Sequence, residues 1–481
     1  MRHLVSISAI LLVAASSAQA ADLADRTYVK SPVVAQVYDW SGFYFGANAG
    51  VGVGRDPSAI NTGLFTIPRN TLSPIGAIGG LQTGFNWQSG NLVFGVETDF
   101  QASGMDDSST CNAGCQSNSS LTPSQSLDWF GTARLRAGLA SGPVFSYFTG
   151  GFAYGNVKST VSGTTTGFAG SVAGAFPVGS VSETKTGWTI GGGIEAALGG
   201  NWTGKVEYLY LDLGNQNVTT SSGIFPIVMS VENHEHVFRA GLNYHLNGAH
   251  PYVDPPVANW AGFYAGLNAG FGVARNPTTF GIPGSATTDS FTLVPQGFLG
   301  GGQIGYNWQS ENWVYGLEAD FQGSALRDKD NCLLVCFQAV LPSPFITSGN
   351  VDQQLTWFGT VRGRFGYSVG STLFYGTGGL AYGEIRNTAS VVYSSAPIFF
   401  SAVPAMDRVD VRHINTGWTA GGGIESPIDW LGKNWTLKSE YLYVDLGSVN
   451  DNAVLASTAF ALNSKIHEHI FRAGINYHFG P

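Results

Sequence analysis

The amino-acid sequence predicts an all-β protein built from two homologous transmembrane barrels, each of eight antiparallel up-and-down strands. Three observations lead to this prediction: an internal repeat longer than 200 residues, a composition poor in charge but rich in glycine and aromatic residues, and connections that alternate between short and long. One alternative stays open at this stage. All sixteen strands could instead close into a single barrel.

The repeat appears as motifs that return in the same order. The segment 38–44 returns at 258–264, and the segment 234–241 returns at 467–474. The offset grows from 220 between Trp40 and Trp260 to 233 between Glu207 and Glu440, so the length differences lie in the connections. A repeat of this length is a whole domain and not a solenoid unit of about 20 to 50 residues. We expect barrel units at 38–246 and 259–481, joined by a periplasmic linker at 247–258.

The first 20 residues have the pattern of a secretory signal. Arg2 precedes an apolar run at 4–15, and small residues end the segment at Ala18 and Ala20. Residues 21–37 are then a spacer. No later stretch supplies the roughly 20 consecutive apolar residues that a transmembrane helix needs. The mature chain is therefore expected to leave the cytoplasm and to cross no membrane by helices.

The composition is that of a membrane barrel. Charged residues make up 11% of the chain, against about 25% in typical soluble domains. Glycine accounts for 66 of 481 residues and aromatics for 13%. This combination is expected where lipid-facing and lumen-facing residues alternate and average out. The net charge of −9 and the absence of a basic run argue against a nucleic-acid partner.

The connections within the first unit alternate strictly in length. Tight turns are predicted at 88–91, 140–143 and 198–201, whereas the links near 55–76, 104–125, 159–183 and 214–232 are long and polar. Outer-membrane barrels have short periplasmic turns and long outer loops. We therefore expect an outer-membrane protein with extracellular long loops and periplasmic termini. The predicted strands are 40–54, 77–88, 91–103, 126–140, 143–158, 184–197, 201–213 and 233–246.

Strand parity places charged residues inside each barrel. On the segment 91–103, Leu92, Phe94 and Val96 share one face, while Glu97 and Asp99 share the other. A soluble β-sandwich would reverse the solvent exposure of these faces, but it leaves the alternation of connection lengths unexplained. The predicted lumen residues are Glu97, Asp99, Arg134, Arg136, Glu195, Lys205, Glu207 and Arg239 in the first unit, and Glu318, Asp320, Arg362, Arg364, Glu425, Lys438, Glu440 and Arg472 in the second.

These lumen residues balance within each unit, with four acids against four bases. An eight-stranded barrel is only wide enough to be filled by side chains, and buried charges must be paired. The balance therefore predicts a self-neutralising plug. The alternative is a charged constriction that selects solutes, which requires the wider sixteen-stranded ring.

Four cysteines fall as two close pairs in predicted loops. Because an exported protein meets an oxidising compartment, we predict disulfides between Cys111 and Cys115 and between Cys332 and Cys336. Metal binding is the alternative, and it is disfavoured because no His or third Cys lies nearby. Each ring is so small that a bridge would shape its loop more than stabilise the fold.

Histidine motifs and catalytic motifs add little. The segment His234–His236 and its copy His467–His469 have a spacing that could chelate zinc or copper. The imidazole of His236 is, however, predicted near the outer rim of the barrel, where amphipathic rings are ordinary residues of the membrane interface. No nucleophile or water-activating acid stands in a recognisable motif beside an oriented histidine. We expect no enzyme activity, no metal and no cofactor, including haem.

The last strand of each unit resembles the C-terminal assembly signal of outer-membrane barrels: polar, any, Gly, two of any, aromatic, any, apolar. In the second unit Gly474, Tyr477 and Phe479 occupy the defining positions, and Gly480 and Pro481 follow, which departs from the usual terminal aromatic residue. The resemblance implies the barrel-assembly machinery as a partner.

Both halves resemble the small eight-stranded outer-membrane barrels of alphaproteobacteria, porin-like surface antigens related in fold to OmpA and OmpX. The resemblance rests on the Trp-x-Gly-Phe-Tyr opening and on the segments 187–195 and 207–214, which return at 417–425 and 440–447. It implies a surface-exposed structural component of the envelope, in contact with membrane lipid and lipopolysaccharide, whose external ligand is unknown. The alternative function is passive diffusion of small hydrophilic solutes through a single sixteen-stranded pore.

Overall fold

A computed structural model describes the protein over most of the two repeats. The predicted signal and spacer at 1–37, most of the linker, and Cys115 and Cys336 lie outside the described residues. The two cysteine bridges therefore stay predictions. The described ranges are 38–61, 66–112, 120–165, 174–175, 177–222, 225–246, 257–283, 288–332, 345–394 and 405–479.

Each repeat contains eight long strands that form a ring. In the first they are β1 Gly42–Gly54, β2 Ile75–Ser89, β3 Leu92–Ser108, β4 Ser120–Ser141, β5 Val144–Thr165, β6 Gly179–Gly199, β7 Trp202–Ser222 and β8 Phe225–His245. In the second they are β9 Gly262–Ala274, β10 Gln296–Ser310, β11 Trp313–Cys332, β12 Phe345–Val369, β13 Thr372–Ser394, β14 Ala405–Pro427, β15 Trp435–Leu455 and β16 Thr458–His478.

Each ring closes on itself. Strand β1 pairs antiparallel with β8, from Tyr44 opposite His245 to Gly54 opposite Glu235. Strand β9 pairs with β16 in the same way, from Tyr264 opposite His478 to Ala274 opposite Glu468. Neighbouring strands between them pair consecutively and antiparallel. The prediction of two eight-stranded barrels is confirmed, and the single sixteen-stranded ring is wrong.

The tight turns lie together at one end of each barrel, here called the turn end. Gly90 and Gly142 have φ angles of +61° and +55°, which glycine adopts without the steric cost of a side chain. They join β2 to β3 and β4 to β5. The opposite end, where the longer connections lie, is called the loop end.

The predicted long loops are mostly strand. Strand β3 continues to Ser108, β5 continues to Thr165, and β8 already begins at Phe225. A strand of 21 residues is about 70 Å long, and a tilt of about 40° leaves about 50 Å along the barrel axis, twice the apolar band of about 25 Å. Beyond the membrane the outward face becomes polar, so these residues have the composition of loops although they stay paired.

A small hairpin follows the first strand of each barrel at the loop end. Its strands are Asp56–Asn61 and Thr66–Leu72 in the first barrel, and Asn276–Gly281 and Thr288–Leu293 in the second. The first hairpin pairs with β8 beyond the point where β1 leaves it. The described part of the chain also has a short 3-10 helix at Asp429–Leu431, and it contains no helix long and apolar enough to cross a membrane.

Two belts of aromatic side chains mark the membrane band on the outer surface of the barrels. At the turn end of the first barrel, Phe85 contacts Trp87 and Trp202 contacts Tyr244. Towards the loop end, Phe100 stacks on Trp129, and a second pair, Trp188 with Tyr210, lies at the same level. Exposed apolar residues such as Leu135 and Ile190 lie between the belts. Aromatic belts of this kind lie at the two membrane interfaces.

Candidate functional site

Arg134 lies in the middle of the interior of the first barrel and binds three carboxylates. Its guanidinium donates to Asp99 Oδ2 at 2.9 Å and to Glu207 Oε1 at 3.0 Å. It also donates to Glu97 Oε1. None of these four side chains is exposed to solvent. Three buried acids are therefore held around one guanidinium.

The other three bases complete the network. Arg136 donates to Glu195 at 2.6 Å and to Glu97 at 3.1 Å. Lys205 Nζ donates to Glu97 at 2.9 Å. Arg239 donates to Asp99 at 2.9 Å and lies 2.6 Å from Glu207. The structure thus brings together all eight residues that parity placed in the first lumen.

The second barrel repeats this arrangement. Arg362 contacts Glu318, and it binds Asp320 at 3.0 Å and Glu440 at 3.1 Å. Arg364 binds Glu425 at 2.7 Å. The two remaining bases take the same partners as their counterparts: Lys438 binds Glu318 at 2.8 Å, and Arg472 binds Asp320 at 2.8 Å and Glu440 at 2.7 Å.

Neutral residues that the sequence reasoning missed add further hydrogen bonds to these carboxylates. Tyr44 donates to Glu97 at 2.8 Å and Tyr147 donates to Glu207 at 2.9 Å. Glu195 accepts from Thr203 at 2.6 Å and from Asn243 at 2.7 Å. Each of these residues lies at an inward-facing position of its strand, so the alternation of faces along the strand could have identified it. Their uncharged side chains gave no reason to single them out.

Apolar layers close the interior on both sides of the charges. At the turn end, Trp40 is fully buried against Phe145, and its indole N–H donates to Gly142 O at 3.3 Å. On the loop side, a second buried layer includes Met105, Phe130 and Leu209. A third layer lies still further towards the loop end, around Leu121 and Val218. The interior is therefore filled with side chains along its length.

The two barrels contact each other through reciprocal ion pairs near the loop end. Arg55 of the first barrel donates to Asp328 of the second at 2.6 Å. Arg275 of the second donates to Asp107 of the first at 2.7 Å. Arg55 and Arg275 stand at equivalent positions of the repeat, as do Asp107 and Asp328. This reciprocity is that of a two-fold, isologous interface.

His236 lies inside this contact and not at a lipid-facing rim. It is 1% exposed, its Nδ1 lies 2.9 Å from the Tyr208 hydroxyl, and its Nε2 lies 2.9 Å from Gln296 of the second barrel. Its ring stacks on Phe271. The sequence predicts that His236 lies at the membrane interface. This prediction is wrong, because the second barrel covers the position that lipid headgroups would occupy.

Asp56 is a buried acid just beyond the loop-end aromatic belt. Its Oδ1 accepts from the His234 amide at 2.6 Å, and its Oδ2 has no hydrogen-bond partner within the described residues. A Cβ built on Gly54 would lie 3.1 Å from that oxygen and 2.8 Å from Glu235 Oε2, so the two carboxyls are close. Burial, reinforced by the nearby Asp107, raises the pKa of Asp56 well above its ordinary value.

Replacing Asp56 by asparagine is expected to weaken the pH dependence of stability. An acid whose pKa is raised by folding stabilises the folded state below its ordinary pKa, and this contribution is lost as pH rises towards the raised value. The contribution of Asp56 to the urea midpoint should therefore fall as pH rises above about 4, so the midpoint of Asp56→Asn should rise relative to that of the wild-type protein over this range. Asn276 already occupies the equivalent position in the second barrel. Identical pH profiles would contradict the assignment.

The residues of the predicted assembly signal lie at the end of β16. Phe479 is largely exposed, and its amide donates to Phe263 O at 2.8 Å. Tyr477 contacts both Phe479 and Trp435 at the turn end. Gly474 lies against β9, where an added Cβ would meet Leu267 O at 2.7 Å. These positions leave the aromatic pair accessible at the outer surface of the barrel.

The described residues contain no group of three or more His, Cys, Asp or Glu side chains arranged to hold a metal ion. The carboxylates that cluster at mid-barrel are bound by arginine, lysine and hydroxyl groups. In this arrangement they hold opposite walls of a barrel together.

Comparison with known proteins agrees with this architecture. The family model of the outer membrane protein β-barrel domain matches residues 7–245 and again residues 248–479. The 31 kDa outer-membrane immunogenic protein of Brucella melitensis is 36% identical over 227 residues, covering 46% of this chain and 84% of that protein. The 22 kDa outer membrane protein of Rhizobium leguminosarum is 34% identical over 198 residues, covering 40% of this chain and 67% of that protein.

A further relative is the 25 kDa outer-membrane immunogenic protein of Brucella melitensis, 28% identical over 246 residues, which covers 51% of this chain and 98% of that protein. Each of these matches has about the length of one barrel. Among solved structures, Neisserial surface protein A covers 43% of this chain and 98% of its own at 15% identity and a TM-score of 0.20, a likeness too weak to inform on this chain.

Proposed function

The chain belongs to the outer membrane protein β-barrel domain family, and from this premise we propose that it is a structural, surface-exposed component of the envelope with no pore. Its relatives include outer-membrane proteins named as immunogenic, a name that fits exposure at the cell surface. The proposed domains are a signal at 1–20, a spacer at 21–37, barrels at 38–246 and 259–481, and a linker at 247–258.

The observation that supports this role is the filled interior. Arg134, Glu97, Asp99 and Glu207 have no solvent exposure at mid-barrel, and apolar layers lie on both sides of them. A diffusion channel needs water along its length, and pores of that kind are found in barrels of about 16 strands or more. Each of the two eight-stranded rings is too narrow to hold a water-filled channel.

The purified full-length protein should show no large, persistent conductance in planar bilayers. A sixteen-stranded porin measured in the same membranes is the positive control, and the purification detergent alone is the blank. Long-lived conductance steps whose size grows with salt concentration would overturn the structural role and favour the diffusion channel.

We also propose that the loop ends face the outside of the cell and that the turn ends and termini face the periplasm. The long strand extensions at the loop end and the short turns at the other end support this orientation. The proposed partners are then phospholipid and lipopolysaccharide around the barrels and, during assembly, the machinery that reads Gly474, Tyr477 and Phe479. No surface ligand is assigned.

Epitope tags test this orientation on intact cells. A tag inserted after Ser119, between β3 and β4, should bind antibody on intact cells. A tag at Gly200, in the turn between β6 and β7, should bind only after the outer membrane is opened. The opposite labelling pattern would invert the topology.

We further propose that the protein is not an enzyme and holds no cofactor. Its mid-barrel acids are engaged by arginine and lysine, and its relatives carry names that describe location and immunogenicity. Both points favour a structural role over catalysis.

A further inference from the structure

A cavity of about 1170 Å³ lies between the outer walls of the two barrels. It extends between two clusters in which the barrels touch. One cluster, towards the loop end, contains Phe238 and Val273. The other, towards the turn end, contains Ile194 and Ile424. Side chains of both clusters line the cavity.

The walls of the cavity are apolar and differ between the barrels. The first barrel contributes small residues, among them Ala47, Ala49 and Ala240, which alternate with inward-facing residues and so point outwards. The second barrel contributes large rings, among them Phe365 and Phe374. The first barrel thus leaves room that the rings of the second do not fill.

The aromatic belts place the cavity within the membrane band. At one end it is lined by Trp313 and Tyr367, whose ring centroids lie 4.9 Å apart in the turn-end belt. At the other end it is lined by Tyr441, two residues before Tyr443, which contacts Trp418 in the loop-end belt of the second barrel. The cavity therefore extends from the turn-end belt past the middle of the membrane.

Neither vacuum nor water accounts for such a space. Packed proteins contain few voids larger than a water molecule. A buried water needs about two to four polar partners, which outward-facing alanine and phenylalanine side chains do not provide. The volume is somewhat larger than that of pockets that hold drug-sized ligands, about 300 to 1,000 Å³. Hydrocarbon is the remaining filler, and the surrounding bilayer supplies it.

We propose that acyl chains of a phospholipid occupy this cavity and remain bound when the protein is extracted from the membrane. The lipid then takes the place of missing side chains between two barrels whose direct contacts lie above and below it. The choice of phospholipid over lipopolysaccharide rests on the proposed orientation, because the cavity begins at the turn-end belt and the turn ends are proposed to face the periplasm.

Native mass spectrometry of the full-length protein tests the proposal. After exchange into mild detergent, the wild-type protein should keep a phospholipid mass. The double variant Ala49→Trp with Ala240→Trp fills the cavity from the first barrel and should lose that mass. The matched control is Ala269→Trp with Ala473→Trp, because these residues stand at the equivalent exposed positions of the second barrel, outside the cavity. It should keep the lipid.

Three outcomes would overturn the proposal: no lipid on the wild-type protein, equal lipid on the filled variant and the wild type, or lipopolysaccharide in place of phospholipid. A second measurement covers the case in which the filled variant does not fold. A phospholipid with a photoreactive acyl chain, added before extraction, should crosslink within 47–51 even after detergent exchange. Its crosslinks to exposed Leu81 should disappear. Loss of both crosslinks would equally overturn the proposal.

Discussion

Replacement of Arg134 by methionine is expected to destabilise the first barrel by about 3–5 kcal/mol, the cost typical of breaking a buried ion pair by removing one partner. Three carboxylates, those of Glu97, Asp99 and Glu207, are bound by this one guanidinium without solvent exposure. Methionine has a similar length but no charge. The three acids would therefore be left close together in a medium that cannot hydrate them.

The measurement is the urea midpoint at which the folded, heat-modifiable form of the protein disappears. Arg412→Met is the surface control, because this side chain is 59% exposed and lies 3.9 Å from Glu384. Exposed pairs of this kind contribute about 0–1 kcal/mol.

Arg362→Met should reproduce the loss of stability in the second barrel. Combining Arg134→Met with Asp99→Asn and Glu207→Gln should recover part of it, since fewer unpaired charges remain. Equal midpoints for Arg134→Met and Arg412→Met would contradict a central role for the network.

The interior of the barrels was accessible to sequence reasoning because strand geometry is strict. Side chains alternate with period two, so a run such as Leu92 to Asp99 assigns each residue to a face with no knowledge of its neighbours. The burial pattern of β3 alternates in the same way from Leu92 to Gln101. The second repeat shows the same assignment of residues to the two faces.

The contact between the barrels was not accessible in this way. Lipid chains are as apolar as the side chains of a protein interface, so Phe238 has the same character whether it faces lipid or Tyr441 of the second barrel. The polar part of the contact gave a weak signal. Arg55 and Arg275 recur at equivalent positions, but their partners Asp328 and Asp107 lie in the other repeat, where local patterns cannot pair them.

Ring closure was also undetermined by the sequence. Balanced lumen charges suit two filled barrels, but they would equally be inherited by a fused ring. Only the hydrogen-bonded register of β1 with β8 and of β9 with β16 distinguishes these cases.

The strand extensions were missed for another reason. Outside the membrane an outward face needs no apolar residues, and alternation between buried valine and exposed serine or threonine resembles a polar loop.

The narrowness of each ring leads to a last expectation, that Gly151→Ala will disrupt the first barrel whereas Gly150→Ala will not. The two residues are adjacent on β5 and face opposite sides. A Cβ on Gly151 would lie 2.2 Å from Ala133 O and 2.8 Å from Arg134 Cα, distances that require the backbone of β4 to move. A Cβ on Gly150 would approach nothing closer than Thr189 O at 3.4 Å.

The inward substitution should therefore cost at least the roughly 1–3 kcal/mol typical of overpacked cores, and it displaces Arg134 as well, so the ion-pair network should be lost with it. The outward substitution should be neutral or stabilise by up to about 1 kcal/mol, because alanine loses less conformational freedom on folding than glycine.

Gly379 and Gly378 form the equivalent pair in the second barrel. An added Cβ would lie 2.2 Å from the nearest atom at Gly379 and 3.4 Å at Gly378, so Gly379→Ala should be the more destabilising substitution of this pair. Urea midpoints of the four single variants provide the measurement. If both members of a pair shift equally, glycine serves the backbone of β5 and β13 alone, and crowding inside the ring is not what selects it.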